Sequence, residues 1–183
     1  MREREGDDGG DERCVKIDGD SKKLNGLKTL KEMKEYLRSE WRYRNIGGTY
    51  LHFAAYLGDV DATKILLIED KAEVNATDED ERTPMHFAAL KGHADVAKVL
   101  IQNGADVNAV NDDNLTPLYY TARHGHVDVA KVLIQNGADV NAVTDNKWTT
   151  LHCAAWKGHV DVAKVLLQNG ADVASERCGC ECC

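Results

Sequence analysis

The sequence repeats itself at a spacing of 33 residues, and this periodicity limits the fold more than any other feature. Residues 95–110 read DVAKVLIQNGADVNAV, and residues 128–143 repeat the same letters. A third copy, DVAKVLLQNGADV, fills 161–173, and a looser one, DATKILLIEDKAEVNA, fills 61–76. Self-similarity at a fixed period of this size indicates a stacked array, because neighbouring units can bury an apolar face that one unit cannot bury alone.

Each unit is predicted to contain two short antiparallel helices followed by a projecting turn. In the second unit, Thr83-Pro84 suits a helix start, because a hydroxyl can cap free N–H groups and proline fits the first helical position. Gly92 can supply the left-handed residue that ends this helix. A second helix is predicted from about Ala94 to Gln102, with Gly104 after its last turn.

These residues resemble the ankyrin repeat. The resemblance rests on two stretches of the second unit, Thr83-Pro84-Met85-His86-x-Ala88-Ala89-x-x-Gly92-His93 and Gly104-Ala105-Asp106-Val107-Asn108-Ala109. It covers the region 47–173 in four units, at about 47–78, 79–110, 111–143 and 144–173. It implies an all-α fold, a solenoid of stacked helix-turn-helix units with short projecting β-hairpin turns. It also implies protein binding on a concave face, with no chemistry of its own.

Six of the seven histidines occupy positions that hold the turns together by hydrogen bonds in the family that the sequence resembles. They are His52, His86, His152, His93, His126 and His159. Because they lie about a repeat apart, they cannot share one ion, and we expect no metal site.

Several residues depart from the family pattern. Tyr119 and Asp59 each replace a histidine, and Thr150 replaces a proline. One residue is inserted near 68–71, so we expect a distorted turn there.

The flanking segments have compositions of their own. Residues 1–20 are charged and nearly without apolar side chains, so we expect a disordered tail. Residues 21–46 carry leucines at helical spacing, which predicts an amphipathic helix that caps the first unit; a membrane-surface or partner-binding helix is the alternative. Residues 174–183 are expected to form a flexible cysteine-rich tail. A soft-metal site such as zinc, lipid attachment and an oxidation-prone tail remain open for Cys178–Cys183.

The last unit is unusual because it is as apolar as the internal ones, whereas a terminal repeat usually presents a polar outer side. Val162, Val165, Leu166 and Leu167 match their internal counterparts. We expect this end to fray or to belong to a shortened form of a longer array, and the remaining alternative is that it meets another molecule.

Composition excludes several classes of function. A net charge of −8 argues against general nucleic-acid binding, which depends on Lys and Arg neutralising phosphate. The sequence contains no apolar run of about 18 residues, and from the charged N-terminus we expect no signal peptide. The uneven spacing of the six cysteines favours a reducing, cytoplasmic compartment over a secreted disulfide framework.

No catalytic motif stands out, and Cys153 is interpreted as a small core residue. We therefore expect a monomer without cofactor or enzymatic activity.

The leading hypothesis is an adaptor, scaffold or inhibitor that binds a protein partner of unknown identity. Delivery into a host cell fits if the source is an intracellular bacterium. Partner-binding positions are expected at the turn tips and just after the alanine pairs, where the units differ and where Trp, Tyr and Arg dominate interface energetics. The residues predicted to be exposed there are Tyr56, Leu90, Leu115, Arg123, Trp148 and Trp156. The alternative is a scaffold localised by its C-terminal cysteines through lipid or metal.

Overall fold

The computed structural model describes Lys31 and residues 48–173, and the latter range forms four helix pairs. Each pair has a first helix of eight residues and a second helix of nine. The helices are α1 (Tyr50–Leu57), α2 (Val60–Ile68), α3 (Pro84–Lys91), α4 (Ala94–Gln102), α5 (Pro117–His124), α6 (Val127–Gln135), α7 (Thr150–Lys157) and α8 (Val160–Gln168). First helices pack against first helices and second helices against second helices, which confirms the all-α repeat solenoid.

A threonine begins every first helix, and in three units a histidine completes the cap. In the second unit the Thr83 backbone N–H donates to His86 Nδ1 at 3.0 Å, and the Thr83 hydroxyl lies 3.0 Å from the same atom. Because Nδ1 accepts, the proton is on Nε2, which donates to the Leu115 carbonyl 3.0 Å away. His52 bonds the Arg82 carbonyl in the same way at 2.9 Å. One ring therefore joins a helix start to the turn before the next unit.

A second set of histidines joins each helix pair to the preceding one. His93, His126 and His159 donate from Nε2 to the carbonyls of Tyr56, Leu90 and Arg123, at 3.1, 3.0 and 3.2 Å. These contacts confirm the predicted hydrogen-bonding role of the histidines.

Glycine allows each of these rings to approach closely. A Cβ on Gly92, whose φ is +80°, would lie 2.5 Å from His126 Nδ1. Glycine at this point is therefore required both by the left-handed backbone and by the neighbouring ring.

The core runs through the array between the two layers of helices. Its largest fully buried side chains include Phe53, Leu66, Met85, Leu100 and Leu133. Burying one such side chain contributes about 1.5–3 kcal/mol, so the leucines of the second helices are major contributors to stability. The alanines at 54, 55, 88 and 89 are also fully buried, as expected where short helices pack closely.

The first unit accommodates its inserted residue after α2. Ala72 N–H donates to Leu66 O, whereas the equivalent bond in the second unit joins Ala105 to Leu100, one residue closer in sequence. Lys71 adopts a φ of +50°, taking the left-handed position that Gly104 holds in the second unit. Thus the turn is distorted as predicted, while α2 keeps its nine residues.

The fourth unit does not fray. Its second helix, α8, spans nine residues like α4, and Val162 and Leu166 are fully buried. The expectation of fraying is wrong, because α6 of the third unit and α7 of its own unit both cover the inner side of α8, and the Asn169 side chain donates to the Val165 carbonyl at its C-terminal end. What differs is its outer side, where Val160 and Leu167 are exposed.

The expectations for residues 1–20, for most of 21–46 and for 174–183 lie outside the described residues. No helix in the part of the chain that the structure describes is long and apolar enough to cross a membrane.

Candidate protein-binding surface

Three five-residue turns project from the array ahead of the second, third and fourth units. We call residues 78–82, 111–115 and 144–148 tips 1, 2 and 3. Each tip closes when the N–H of its first residue donates to the carbonyl of its last, at 2.9 to 3.1 Å. In tip 3 this pairing extends into a bridge between Val143 and Thr149. The tips and the C-terminal ends of the first helices form one surface, which we call the first-helix face.

The first residue of each tip supports the turn with its side chain. Asp78 accepts from Arg82 N–H at 2.8 Å, Asn111 from Leu115 N–H at 2.7 Å, and Thr144 from Trp148 N–H at 3.2 Å. Leu115 is half-buried and takes part in this turn through its backbone, and its carbonyl receives His86. The structure therefore gives Leu115 a role in the tip itself.

Of the six predicted partner-binding residues only Trp156 is exposed; Leu115, Arg123 and Trp148 are half-buried, and Tyr56 and Leu90 are buried. Tyr56 is 4% exposed and Leu90 is 7% exposed. Phe87 of the next unit meets the Tyr56 ring edge-on at 6.3 Å, and the Lys91 ammonium lies 4.6 Å above it. The predicted exposure of these residues is wrong, because the following unit covers the position after each alanine pair. Their side chains belong to the core.

In the fourth unit, the position after the alanine pair is not covered by a following unit within the described residues. Trp156, the counterpart of Tyr56 and Leu90, is 61% exposed. Trp148 of tip 3 meets it edge-on, with ring centroids 6.0 Å apart, and also contacts the His152 ring at 6.2 Å. The Lys157 ammonium lies 4.1 Å above the Trp156 ring. Two indoles and a cation therefore form an open cluster.

Arg123, the counterpart of Trp156 on α5, borders the fourth unit, because its backbone carbonyl accepts from His159 at 3.2 Å. The positive charges of Arg123 and Lys157 both favour the thiolate of Cys153, although burial outweighs them and raises the pKa of that thiol. Both cations therefore lie within electrostatic range of one side chain on α7. We call Arg123, Trp148, Trp156 and Lys157 the Trp148–Trp156 cluster. The sequence prediction included three of its members and missed Lys157, whose signal was its place beside Trp156.

A tyrosine and a cysteine lie beneath this cluster. Tyr119, which replaces a histidine, hydrogen-bonds the Cys153 side chain, and burial raises the pKa of the Tyr119 hydroxyl. Cys153 is buried and free, as the interpretation of a small core residue predicted. A buried thiol with a raised pKa is a poor nucleophile, so this pair supports the fold and offers no catalytic group.

The cations of the cluster have no acidic partner in residues 48–173. The ion pairs there join Arg82 to Asp78 and Asp80, Lys98 to Asp95, and Lys164 to Asp161. Neither Arg123 nor Lys157 takes part in one. Within the same residues, no three His, Cys, Asp or Glu side chains come together as metal ligands.

The acidic charge of the first-helix face lies toward its other end. In tip 1, the Asp78 side chain is buried and Arg82 pairs with both Asp78 and Asp80, while Glu79 and Glu81 are exposed and lie outside these ion pairs. Tip 2 exposes Asp112 and Asp113, whereas tip 3 exposes Asp145 and Lys147. The face is therefore acidic over its first two tips and cationic and aromatic at the fourth unit.

The repeats of this chain are similar in sequence to those of known proteins. A family model described as ankyrin repeats (3 copies) matches residues 21–111 and 103–177. The chain is 36% identical over 80 residues to ankyrin repeat domain-containing protein 7 of Homo sapiens, a match that covers 43% of this chain and 32% of that protein. It is 38% identical over 78 residues to protein phosphatase 1 regulatory subunit 12A of Mus musculus, covering 40% of this chain and 8% of that protein.

A third relative is palmitoyltransferase AKR1 of Lachancea kluyveri, at 48% identity over 58 residues, which are 32% of this chain and 8% of that protein. The chain thus spans only 8% to 32% of the length of these curated relatives.

Proposed function

The chain belongs to the ankyrin-repeat family, and we propose that it is an adaptor, scaffold or inhibitor that holds one protein partner on the concave, first-helix face of its array. Repeats of this family generally mediate protein–protein interaction and are typically non-enzymatic. A relative named as a regulatory subunit of a protein phosphatase supports a binding role, whereas a relative named as a palmitoyltransferase is an enzyme by its name. We further propose that the protein is a cytoplasmic monomer when unbound.

The contact of exposed Trp156 with half-buried Trp148 is the observation that carries this proposal. Trp156 is a large, mostly apolar side chain that the described part of the molecule leaves open, and Trp148 packs against its edge. Trp and Arg are the residue types whose removal most often costs a complex its stability, especially when they cluster. Both indoles and the Lys157 ammonium are already placed by contacts within the array, so a partner would order few side chains on binding.

The test is affinity capture followed by measurement of binding with the purified partner. The variant Arg123→Ala, Trp148→Ala, Trp156→Ala removes most of the cluster. The matched control, Lys98→Ala, Ile68→Ala, Leu167→Ala, removes exposed side chains from second helices, which lie away from the first-helix face. We expect the cluster variant to weaken binding by at least about 2 kcal/mol, or roughly 30-fold, and the control to change it less than about threefold.

Folding must be matched by circular dichroism before the comparison. A partner that binds the cluster variant as tightly as the wild type would contradict the proposed surface. A partner lost only by the control variant would move the binding surface to the second helices.

A further inference from the structure

We propose, on the premise that the proposed function is correct, that the partner presents an acidic segment in which a carboxylate lies next to an aromatic or aliphatic residue. The apolar residue would pack on Trp148 and Trp156, and the carboxylate would pair with Arg123 and Lys157. This inference rests on the charges at the fourth unit and on the indole surface that remains open there.

The first observation is an unbalanced charge. In residues 48–173, Arg82, Lys98 and Lys164 each meet an aspartate within 3.2 Å, whereas the other lysines and arginines form no ion pair there. Arg123 and Lys157 meet none, although both lie close enough to Cys153 to act on its thiol. An incoming carboxylate would meet attraction here without first breaking an internal ion pair.

The second observation is that Lys157 is held where a bound carboxylate would need it. Its ammonium lies 4.1 Å above the Trp156 ring, so its position is restrained by a cation–π contact. Arg123 is half-buried and therefore less fully hydrated than a surface side chain. A carboxylate beside them would be partly removed from water by the two indoles, and ion pairs are stronger under that condition than in bulk solvent.

The third observation is the charge at the opposite end of the same face. Glu79, Glu81, Asp112 and Asp113 are exposed on tips 1 and 2. An acidic segment extended over these tips would be repelled, because like charges brought together at an interface are costly. The carboxylates are therefore confined to the fourth unit, and the remainder of the segment is neutral or basic. The same acidic tips oppose a nucleic-acid strand, whose charge is uniformly negative.

A selection experiment tests this chemistry without knowledge of the natural partner. The full chain is immobilised and used to select from a phage library of random 12-residue peptides. We expect enriched peptides to carry Asp or Glu within two positions of Trp, Phe, Tyr or Leu. A synthetic copy of one such peptide should bind at least about tenfold more weakly to the Arg123→Glu, Lys157→Glu variant.

The matched control is Lys98→Glu, Lys164→Glu, which makes the same change in net charge on the second helices. Binding of the peptide to this control should change less than about threefold, which separates a local contact from general attraction between charges. Selection on the Arg123→Glu, Lys157→Glu variant should enrich Lys or Arg in place of Asp and Glu.

The outcomes distinguish the inference from the proposed function. Peptides that need Trp148 and Trp156 but show no acidic preference would overturn the inference and leave the proposed surface intact. Peptides that bind equally to a Trp148→Ala, Trp156→Ala variant, or a selection that enriches nothing, would overturn both. Saturable quenching of tryptophan fluorescence by a single-stranded DNA 12-mer, absent in the Arg123→Glu, Lys157→Glu variant, would overturn the acidic peptide in favour of nucleic acid.

Discussion

The second and fourth units are built from nearly the same residues, but their surroundings differ. The helix that reads ADVAKVLIQ in the second unit reads VDVAKVLLQ in the fourth, and both form over nine residues. Yet Ala89 is fully buried while Ala155 is exposed, and the ring that fills the space at Gly92 has no counterpart at Gly158. Sequence therefore sets the local geometry of a unit, whereas the neighbouring unit sets what is buried.

The glycines that end the first helices give the strongest test of whether a neighbouring unit changes the effect of the same substitution. Gly92→Ala and Gly158→Ala both place a Cβ at a φ near +80°, which costs about 1–2 kcal/mol. Only the first also meets the His126 ring, and displacing that ring adds about 1–3 kcal/mol. Urea denaturation should show Gly92→Ala as clearly the more destabilising change. Equal losses of stability would mean that the ring moves aside freely.

The buried histidine of the second unit predicts a dependence of stability on pH. Burial lowers the pKa of His86 to about 4, against 6.5 for the unperturbed side chain. The neutral ring therefore stabilises the fold above about pH 6.5, and this contribution, up to about 3 kcal/mol, is lost as the pH falls toward 4. The urea midpoint of His86→Gln should fall less between pH 7 and pH 4 than that of the wild type. If the urea midpoints of the variant and the wild type fell by the same amount between pH 7 and pH 4, His86 would not titrate in this range.

The alanine pairs test the difference in burial directly. Ala89→Leu forces extra atoms into a fully packed junction and should cost about 1–3 kcal/mol. Ala155→Leu adds the same atoms at an exposed position and should change the free energy of unfolding by less than about 0.5 kcal/mol. A large loss at position 155 in thermal melts would indicate that another part of the molecule covers this side.

The smallest expected effect lies at the first position of the first helices. Pro84 holds this position in the second unit, whereas the fourth has Thr150, whose buried hydroxyl finds no hydrogen-bond partner in the described residues. Thr150→Pro should therefore stabilise the protein by about 1 kcal/mol, because it removes an unsatisfied group and restricts the unfolded chain. Pro84→Thr should lower stability by a similar amount. Destabilisation by Thr150→Pro would point to a bond made by the Thr150 N–H.

The local features of the fold could be predicted because they depend on residues close in sequence. Thr83 and Pro84 begin α3 and Gly92 ends it, as hydroxyl capping, proline geometry and a left-handed glycine require. The inserted residue before Ala72 was visible as a change in spacing. These features are fixed within one turn of backbone and need no knowledge of the neighbours.

The candidate surface was only partly predictable, since exposure depends on contacts between units. Tyr56 and Trp156 hold the same place in the repeat, and nothing within their own units tells that one is covered and the other open. Trp148 and Trp156 were predicted as separate positions. Their edge-on contact depends on how tip 3 packs against α7, which the spacing of the residues does not give. Lys157 was missed because a lysine at a helix end is usually solvated, and its position above an indole is a tertiary feature.

The Tyr119–Cys153 hydrogen bond affects the order in which the units of the array unfold. His52 and His86 each hydrogen-bond the tip ahead of the next unit, whereas the residue in their position in the third unit is Tyr119, which bonds a thiol, and sulfur is a weak hydrogen-bonding partner. Between the third and fourth units the bond from His159 to the Arg123 carbonyl remains. We therefore expect the fourth unit, although fully formed, to unfold as a cooperative segment at a lower free energy than the second unit. A partner bound to both Trp148 and Trp156 would hold tip 3 against α7. It would thereby supply the link between tip and helix that a histidine at position 119 would have made.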